Sequence, residues 1–279
     1  MEEDRHMALI VEGKYRLDQK VGEGAFGKIF SGINKNTQEE VAVKIERCCD
    51  GSPLRNEARI YAALRGVKGV PMMRSWGTEG KHNYLVVDLL GETLEQRRIS
   101  SGGTMVLTRV LGIGNQMLER IRDVHQCGLI HRDVKPANFI FGSRSNERDL
   151  LYVIDFGLAK VYRQQRRHVA MKNGRSMMGT ARFASIHVHD GLSPSRRDDI
   201  ESLGYIIVYL LLGELPWQHI DGGNDAALAD MKRSETIWDV LTNSGITIGV
   251  INFIKYARGL EYEEKPNYEY LFGLLRESI

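Results

Sequence analysis

The chain has 279 residues, 42% hydrophobic and 27% charged, with a net charge of +2. That length accommodates one large domain or two lobes with a sizeable core, and the near-neutral balance argues against a strongly basic nucleic-acid binder. Three cysteines, two of them adjacent (Cys48 and Cys49), make no disulfide framework and no C-x-x-C metal pattern. No apolar run approaches the roughly 20 residues of a membrane span, so a soluble protein of a reducing compartment is expected.

The N-terminus MEEDRHM is too charged for a signal peptide. Tyr15 to Glu46 reads as three β-strands. The first runs into VGEGAFG, the second is Lys28 to Ile33, and NKNTQEE turns into VAVKIE. Gly22, Gly24 and Gly27 fit G-x-G-x-x-G, but an alternating strand pattern follows them and no helix starts, against a dinucleotide fold. Without Cβ atoms, a hairpin turn brings its backbone amides close to phosphate oxygens. A plain flexible hairpin is the competing reading, and VAVK at suitable spacing favours the phosphate one.

Lys44 closes the apolar run Val41 to Val43, where a lysine can also simply reach for water. The next element bears on this choice. Ser52-Pro53 is a good helix start and Gly66 a plausible stop. Leu54, Tyr61 and Leu64 form one apolar stripe, and Glu57 falls on it. A carboxylate on a buried face needs a partner, and Lys44 is the candidate; a Glu57 that merely skirts the interface is the alternative. Further strands are expected at Met72 to Trp76 and Tyr84 to Val87. RRISSGGTM, residues 97–105, reads as a polar surface loop, and a helix is expected from Thr108 to Gln126.

The stretch that organises the rest is HRDVKPANFIFGSRSNERDLLYVIDFG, His131 to Gly157. Two apolar runs joined by a polar loop read as an antiparallel hairpin. Asn138 and Asp155 then meet at one end, with Asp133 just outside. Two hard-oxygen ligands that leave water on a metal suit Mg²⁺ with phosphate better than a caged structural ion.

These residues match the protein-kinase signatures, H-R-D-x-K-x-x-N followed by D-F-G. GTARFASI and SRRDDIESLGYIIVYLLLGELPWQ further resemble the casein kinase 1 family of serine/threonine protein kinases. The resemblance covers about Tyr15 to Tyr270. It implies an α+β, bilobal protein-kinase-like fold, with a small antiparallel β lobe carrying one key helix and a larger, mostly helical lobe. The whole chain, 1–279, would be one kinase domain: an extension at 1–14, an N-lobe at 15–89 and a C-lobe at 90–279.

On the same resemblance Asp133 accepts or orients the proton of a substrate hydroxyl, and Lys135 neutralises the transferred γ-phosphoryl group. Lys44, paired with Glu57, orients the α- and β-phosphates, while Asn138 and Asp155 hold Mg²⁺. ATP would be contacted by Val21, Gly22, Gly24, Phe26, Gly27, Ile29, Ala42, Lys44, Asp88, Leu90, Ile140 and Ile154, with Val87 as a small gatekeeper at the hinge. His131 is expected in core packing. Arg132 would be available to an acidic or phosphorylated group on the segment that follows.

That segment carries RQQRRH (163–168), a basic run most simply read as a solvated face. Thr180 lies where the family places a threonine that reaches the catalytic aspartate. Where most kinases show A-P-E, this chain reads Ala184-Ser185-Ile186-His187, near the casein kinase 1 pattern S-I-N, with His187 a departure. The family's anion site, which recognises an acidic or phosphorylated residue upstream of the target, would map to Arg182, the backbone of Gly213 and Lys232. Lys232 sits in DGGNDAALADMKRS, read as a loop unlike the family's basic stretch, and a surface-only role for it stays open.

Ser195 to Gly213 is expected as a core helix, with Asp199 capping it or bracing the His131 loop. Ile246 to Ala257 and Leu271 to Ile279 are expected helices. Family members often carry C-terminal inhibitory tails; without one, this chain would be unrestrained in cis, unless a tail has been removed. The expectation is a monomeric, ATP- and Mg²⁺-dependent serine/threonine protein kinase, cytoplasmic and open to the nucleus, acting on acidic or primed protein substrates, with no nucleic-acid or membrane partner. A scaffold that binds nucleotide without turnover is one rival, and retention of Lys44, Glu57, Asp133, Asn138 and Asp155 together argues against it. A small-molecule kinase is the other, disfavoured by GTARF.

Overall fold

The computed structural model describes residues 10–24, 27–49, 51–165, 167–220 and 225–278. The N-terminal lobe is a six-stranded antiparallel sheet in the order β1-β2-β3-β4-β6-β5. Its strands are β1 (Ile10–Val11), β2 (Tyr15–Gly24), β3 (Gly27–Asn34), β4 (Glu40–Arg47), β5 (Met73–Glu79) and β6 (His82–Asp88). The expected strands are all present, and β1, which falls in the stretch expected as an extension, pairs along β2 through Arg16 and Tyr15.

Alternation along β4 decides what faces the cleft. Val41 and Val43 pack with Tyr84 and Val86 of β6 on one face, while Ala42 and Lys44 line the cleft on the other. Lys44 pairs in register with Leu85. Gly27, at the foot of the β2–β3 turn, has φ +151°, and a Cβ there would collide with the Ile45 carbonyl. Only glycine fits.

Helix α1 (Pro53–Ala63) starts as its sequence signals it should. Ser52 Oγ accepts from the Arg55 amide at 3.3 Å, with proline in the first turn. Leu54, Glu57, Ala58, Ile60 and Tyr61 are buried, and burying one such aliphatic side chain contributes roughly 1.5–3 kcal/mol. The apolar stripe pins α1 to the sheet and turns Glu57 inward.

The C-terminal lobe is mainly helical. It opens with α2 (Leu94–Ser100) and α3 (Leu107–Gln126), followed by β7 (Leu129–Ile130) and the β8–β9 hairpin (Phe139–Phe141 and Leu151–Val153). Short strands β10 (Lys160–Val161), β11 (Arg163–Gln164) and β12 (Arg167–His168) precede α4 (Ile186–His189). The remainder is α5 (Arg196–Leu212), α6 (Asp225–Arg233), α7 (Thr236–Asn243), α8 (Ile248–Gly259) and α9 (Tyr268–Arg276).

Two stretches expected as loops are helical instead. Arg97–Ser100 is the end of α2, which a capping box starts: Thr93 Oγ1 accepts from the Gln96 amide and Gln96 Oε1 from the Thr93 amide. The lysine-bearing stretch 225–233 is α6, built on Ala226 to Ala229, all strong helix formers. Helix α5 is buried from Arg196 to Leu210 and stops at Gly213, in the left-handed region at φ 83°. Among the described residues no helix is long and apolar enough to cross a membrane.

Candidate active site

The His131–Asn138 loop is held from behind by α5. Asp199 accepts the backbone amides of His131 (2.8 Å) and Arg132 (2.9 Å), with His125 Nε2 at 2.9 Å. Of the two roles open to Asp199, bracing the loop is the one observed. Asp198 meets the helix start instead, accepting the Ser195 amide at 2.6 Å. Arg132 sits at φ +68°, a conformation that costs of order 1–3 kcal/mol for a non-glycine residue, and the Asp199 bonds offset it. His131 is fully buried, with Nε2 2.9 Å from the Ile154 carbonyl and its ring 5.3 Å from that of Phe156. It packs in the core, as expected. The Arg132 side chain donates to the Leu158 carbonyl.

Asp133 is the hub of the loop. Its Oδ1 accepts Thr180 Oγ1 at 2.9 Å; its Oδ2 accepts Lys135 Nζ at 2.7 Å and Asn138 Nδ2 at 3.2 Å. Lys135 Nζ also reaches Thr180 Oγ1 at 3.2 Å. The close approach of the Thr180 segment requires glycine next door. At Gly179 (φ +84°) a Cβ would lie 2.7 Å from the Arg132 carbonyl.

The hairpin register pairs Phe139 with Val153, and the Ile154 amide donates to the Asn138 carbonyl at 3.0 Å. Asn138 and Asp155 therefore flank one end of the hairpin. Asp155 is left-handed, at φ +63°. Its Oδ1 accepts Lys44 Nζ at 3.0 Å, and the same ammonium donates to Glu57 Oε2 at 2.7 Å. Phe156 is buried edge-on to Tyr61 of α1, with ring centroids 5.1 Å apart, which ties this corner to the helix carrying Glu57.

Two carboxylates share one ammonium here. Burial pushes Lys44 toward losing its proton, but Glu57 and Asp155 outweigh it and hold its pKa above the ordinary lysine value. Burial raises Glu57, while at Asp155 the Lys44 charge overcomes burial and lowers the pKa. At neutral pH Lys44 is a fixed cation and Asp155 a fixed anion.

These groups open into one cleft of about 1460 Å³ between the lobes. Its walls include Val21, Gly22, Ile29, Ala42, Lys44, Glu57, Val87, Asp88, Leu90, Asp133, Lys135, Asn138, Ile140, Ile154 and Asp155. Gly24 lies on the backbone of β2 opposite Gly27, and Gly27 is not among the lining residues. Phe26 lies outside the described residues. The Asp88 carboxylate is taken by Arg74 Nε (2.7 Å) and the Met72 amide (2.8 Å). Thr93, Gln96, Met178 and Gly179 also line the cleft and were not singled out from sequence. The Thr93-x-x-Gln96 capping pattern was the available signal for the first two.

The apolar upper wall and polar floor suit a flat ring joined to an anionic chain. Asn138 and Asp155 offer an amide and a carboxylate, an all-oxygen donor set that fits Mg²⁺ shared with phosphates. Asp155 keeps 32% of its side chain exposed, so it is accessible for that purpose.

The expected anion site is not assembled as drawn. Lys232 is fully buried, and its ammonium donates to the carbonyls of Ala181 (2.9 Å) and Ala184 (2.7 Å). The Gly213 amide is engaged in closing α5, donating to the Tyr209 carbonyl at 2.9 Å. Arg182 is half-buried, with its guanidinium 5.5 Å from the Phe183 ring and 5.7 Å from the Tyr209 ring. It makes no ion pair among the described residues. The burial of Lys232 follows from α6 being a helix docked under the segment rather than a surface loop.

The description "protein kinase domain" belongs to the family whose sequence model matches residues 15–256.

Proposed function

The chain belongs to the protein kinase domain family, and we propose that it is a serine/threonine kinase of casein kinase 1 type. It transfers the γ-phosphoryl group of Mg-ATP to Ser or Thr hydroxyls of proteins, favouring sites with an acidic or phosphorylated residue upstream. The observation that carries this reading is the facing pair of networks in one cleft: Asp133–Lys135–Thr180 on one side and Glu57–Lys44–Asp155 on the other.

Each residue has a task in such a transfer. The substrate hydroxyl oxygen attacks the γ-phosphorus, the bond to the β-phosphate oxygen breaks, and Asp133 orients the hydroxyl and takes up its proton. Lys135, already 2.7 Å from Asp133, offsets negative charge on the moving group. Lys44 holds the α- and β-phosphates, with Glu57 fixing its direction. Asn138 and Asp155 would hold Mg²⁺, which supplies neutralisation of phosphate charge when bound. Positioning and electrostatics, not an unusual nucleophile, carry the chemistry.

The lysine at position 135 and the GTARF segment support Ser/Thr over Tyr as acceptor and a peptide over a small molecule. Arg182, cationic and unpaired among the described residues, supports recognition of an upstream anion, without Lys232. A single kinase domain acting as a monomer in the cytoplasm, and in the nucleus too, belongs to the same proposal.

The test is transfer from Mg-ATP to three matched peptides with phosphoserine, Asp or Ala three residues before the target serine. The order phosphoserine, Asp, Ala, flattened by Arg182→Ala, is expected. Equal transfer to all three would remove the upstream preference and leave the kinase.

A further inference from the structure

Burying an ammonium without a carboxylate partner is costly, and the chain does this at Lys232. The residue is fully buried, and no carboxylate lies within ion-pair distance of it among the described residues. Its charge is met by two carbonyl dipoles, those of Ala181 and Ala184, and by the ring faces of Tyr205 (5.0 Å) and Trp217 (5.2 Å). His189 Nε2 lies 3.2 Å away. The nearby buried carboxylate, Glu201, puts its Oε1 against Arg258 Nε (3.0 Å) and the Tyr205 hydroxyl and forms no ion pair with Lys232. A lysine that only filled space would be cheaper as methionine.

What the ammonium grips is the single turn Ala181–Phe183. On its N-terminal side that turn continues from Thr180, whose hydroxyl meets Asp133. In its middle stands Arg182, whose carbonyl accepts Trp217 Nε1 at 2.8 Å. Three carbonyls of the turn region, those of residues 181, 182 and 184, are thus held from below by donors of the helical lobe. Phe183 is buried edge-on to Tyr209. Lys232 binds the first carbonyl of the turn and that of Ala184 just beyond it, so it brackets the turn from both ends.

We infer that Lys232 is a positioning residue for phosphorylation of peptides: its ammonium clamps the Ala181–Ala184 turn, and through it the placement of Thr180 and Arg182 toward the incoming chain. The inference rests on the proposed peptide-kinase reading. It concerns the acceptor side only, because Lys232 does not line the nucleotide cleft.

The charge on this clamp titrates in an accessible range. Burial pulls the Lys232 pKa down to about 7. Glu201 of α5 and Asp225 of α6 raise it, while Arg258 of α8 lowers it. His189 of α4 is itself held at about 4 by burial and by the Lys232 charge. As pH rises through 7, ammonium–carbonyl bonds become weaker amine–carbonyl bonds.

The experiment uses the full chain, Lys232→Met, Lys232→Arg, and an acceptor peptide with no group titrating between pH 6 and 8. In K232M, kcat/KM for the peptide is expected to fall at least tenfold while KM for ATP stays within about twofold. K232R, which keeps charge and donors, should recover part of the loss. Peptide and ATP parameters falling together, or no loss in K232M, would overturn the inference. Should neither variant fold, wild-type enzyme decides: peptide KM rising from pH 6 to 8 with ATP KM flat supports the clamp, and a flat peptide KM overturns it. Wild-type enzyme that phosphorylates no peptide would instead sink the proposed function, so the two failures are distinguishable.

Discussion

The hydroxyl of Thr180 donates to Asp133 Oδ1 at 2.9 Å across a separation of 47 residues. On the proposed reading this bond joins the segment that would meet the acceptor to the carboxylate that would take its proton. Lys135 touches both partners, so the three act as one unit.

Removing that hydroxyl tests the unit. A hydrogen bond to a charged group contributes about 1.5–3 kcal/mol, which corresponds to roughly tenfold to hundredfold in rate. Thr180→Ala should lose that much kcat on a peptide, and Thr180→Ser, which keeps the hydroxyl, should lose little. Steady-state kinetics on both variants, with ATP affinity measured separately, checks it.

The Lys44–Glu57 pair allows stability and activity to be separated. Breaking a buried pair from one side leaves a buried charge and costs about 3–5 kcal/mol, so Lys44→Met should unfold at distinctly lower denaturant. The double variant Lys44→Met/Glu57→Met removes the stranded carboxylate and should regain much of that stability while remaining inactive. Denaturant melts beside phosphotransfer assays read the two effects independently.

The fold should weaken in mild acid. Burial holds His125 below the ordinary histidine pKa while its Nε2 meets Asp199. The unfolded chain then binds a proton that the folded chain refuses, so stability falls as pH drops below about 6.5. His189, lowered to about 4, acts in the same direction. Asp198, raised by burial to about 6, opposes them: as pH falls through 6 toward its unfolded value, the folded state binds the extra proton and gains stability. Between pH 7 and 6 Lys232, near 7 in the fold, adds to the histidine effect in the same direction, so the comparison with His125→Gln isolates the His125 share. There the melting temperature should fall in wild type and fall less in His125→Gln.

Much of this architecture was legible because local signals agreed with the tertiary result. The alternation of VAVK turned Lys44 to the cleft, and Ser52-Pro53 set the phase of α1 so that Glu57 met it. The hairpin rule brought Asn138 and Asp155 to one end. What stayed hidden were features decided by packing. The capping box of α2 was overridden by the Ser/Gly-rich run behind it. The stretch that forms α6 was read as a loop, and that error left a surface-only role open for Lys232. Nothing local to Lys232 reports that Tyr205, Trp217 and two carbonyls close over it. The left-handed backbone of Arg132 and Asp155 was equally silent, being imposed by Asp199 and the hairpin rather than by residue type.

The most direct test is phosphate transfer from Mg-ATP to a serine peptide and to casein by wild type and by Asp133→Asn, with ATP binding measured on both. General-base assistance of this kind is worth roughly 10²–10⁴-fold. Wild-type transfer that falls by at least a hundredfold in D133N, at unchanged ATP affinity, is the predicted result. Transfer that survives the substitution, or wild-type enzyme that binds ATP and phosphorylates neither acceptor, would contradict the account.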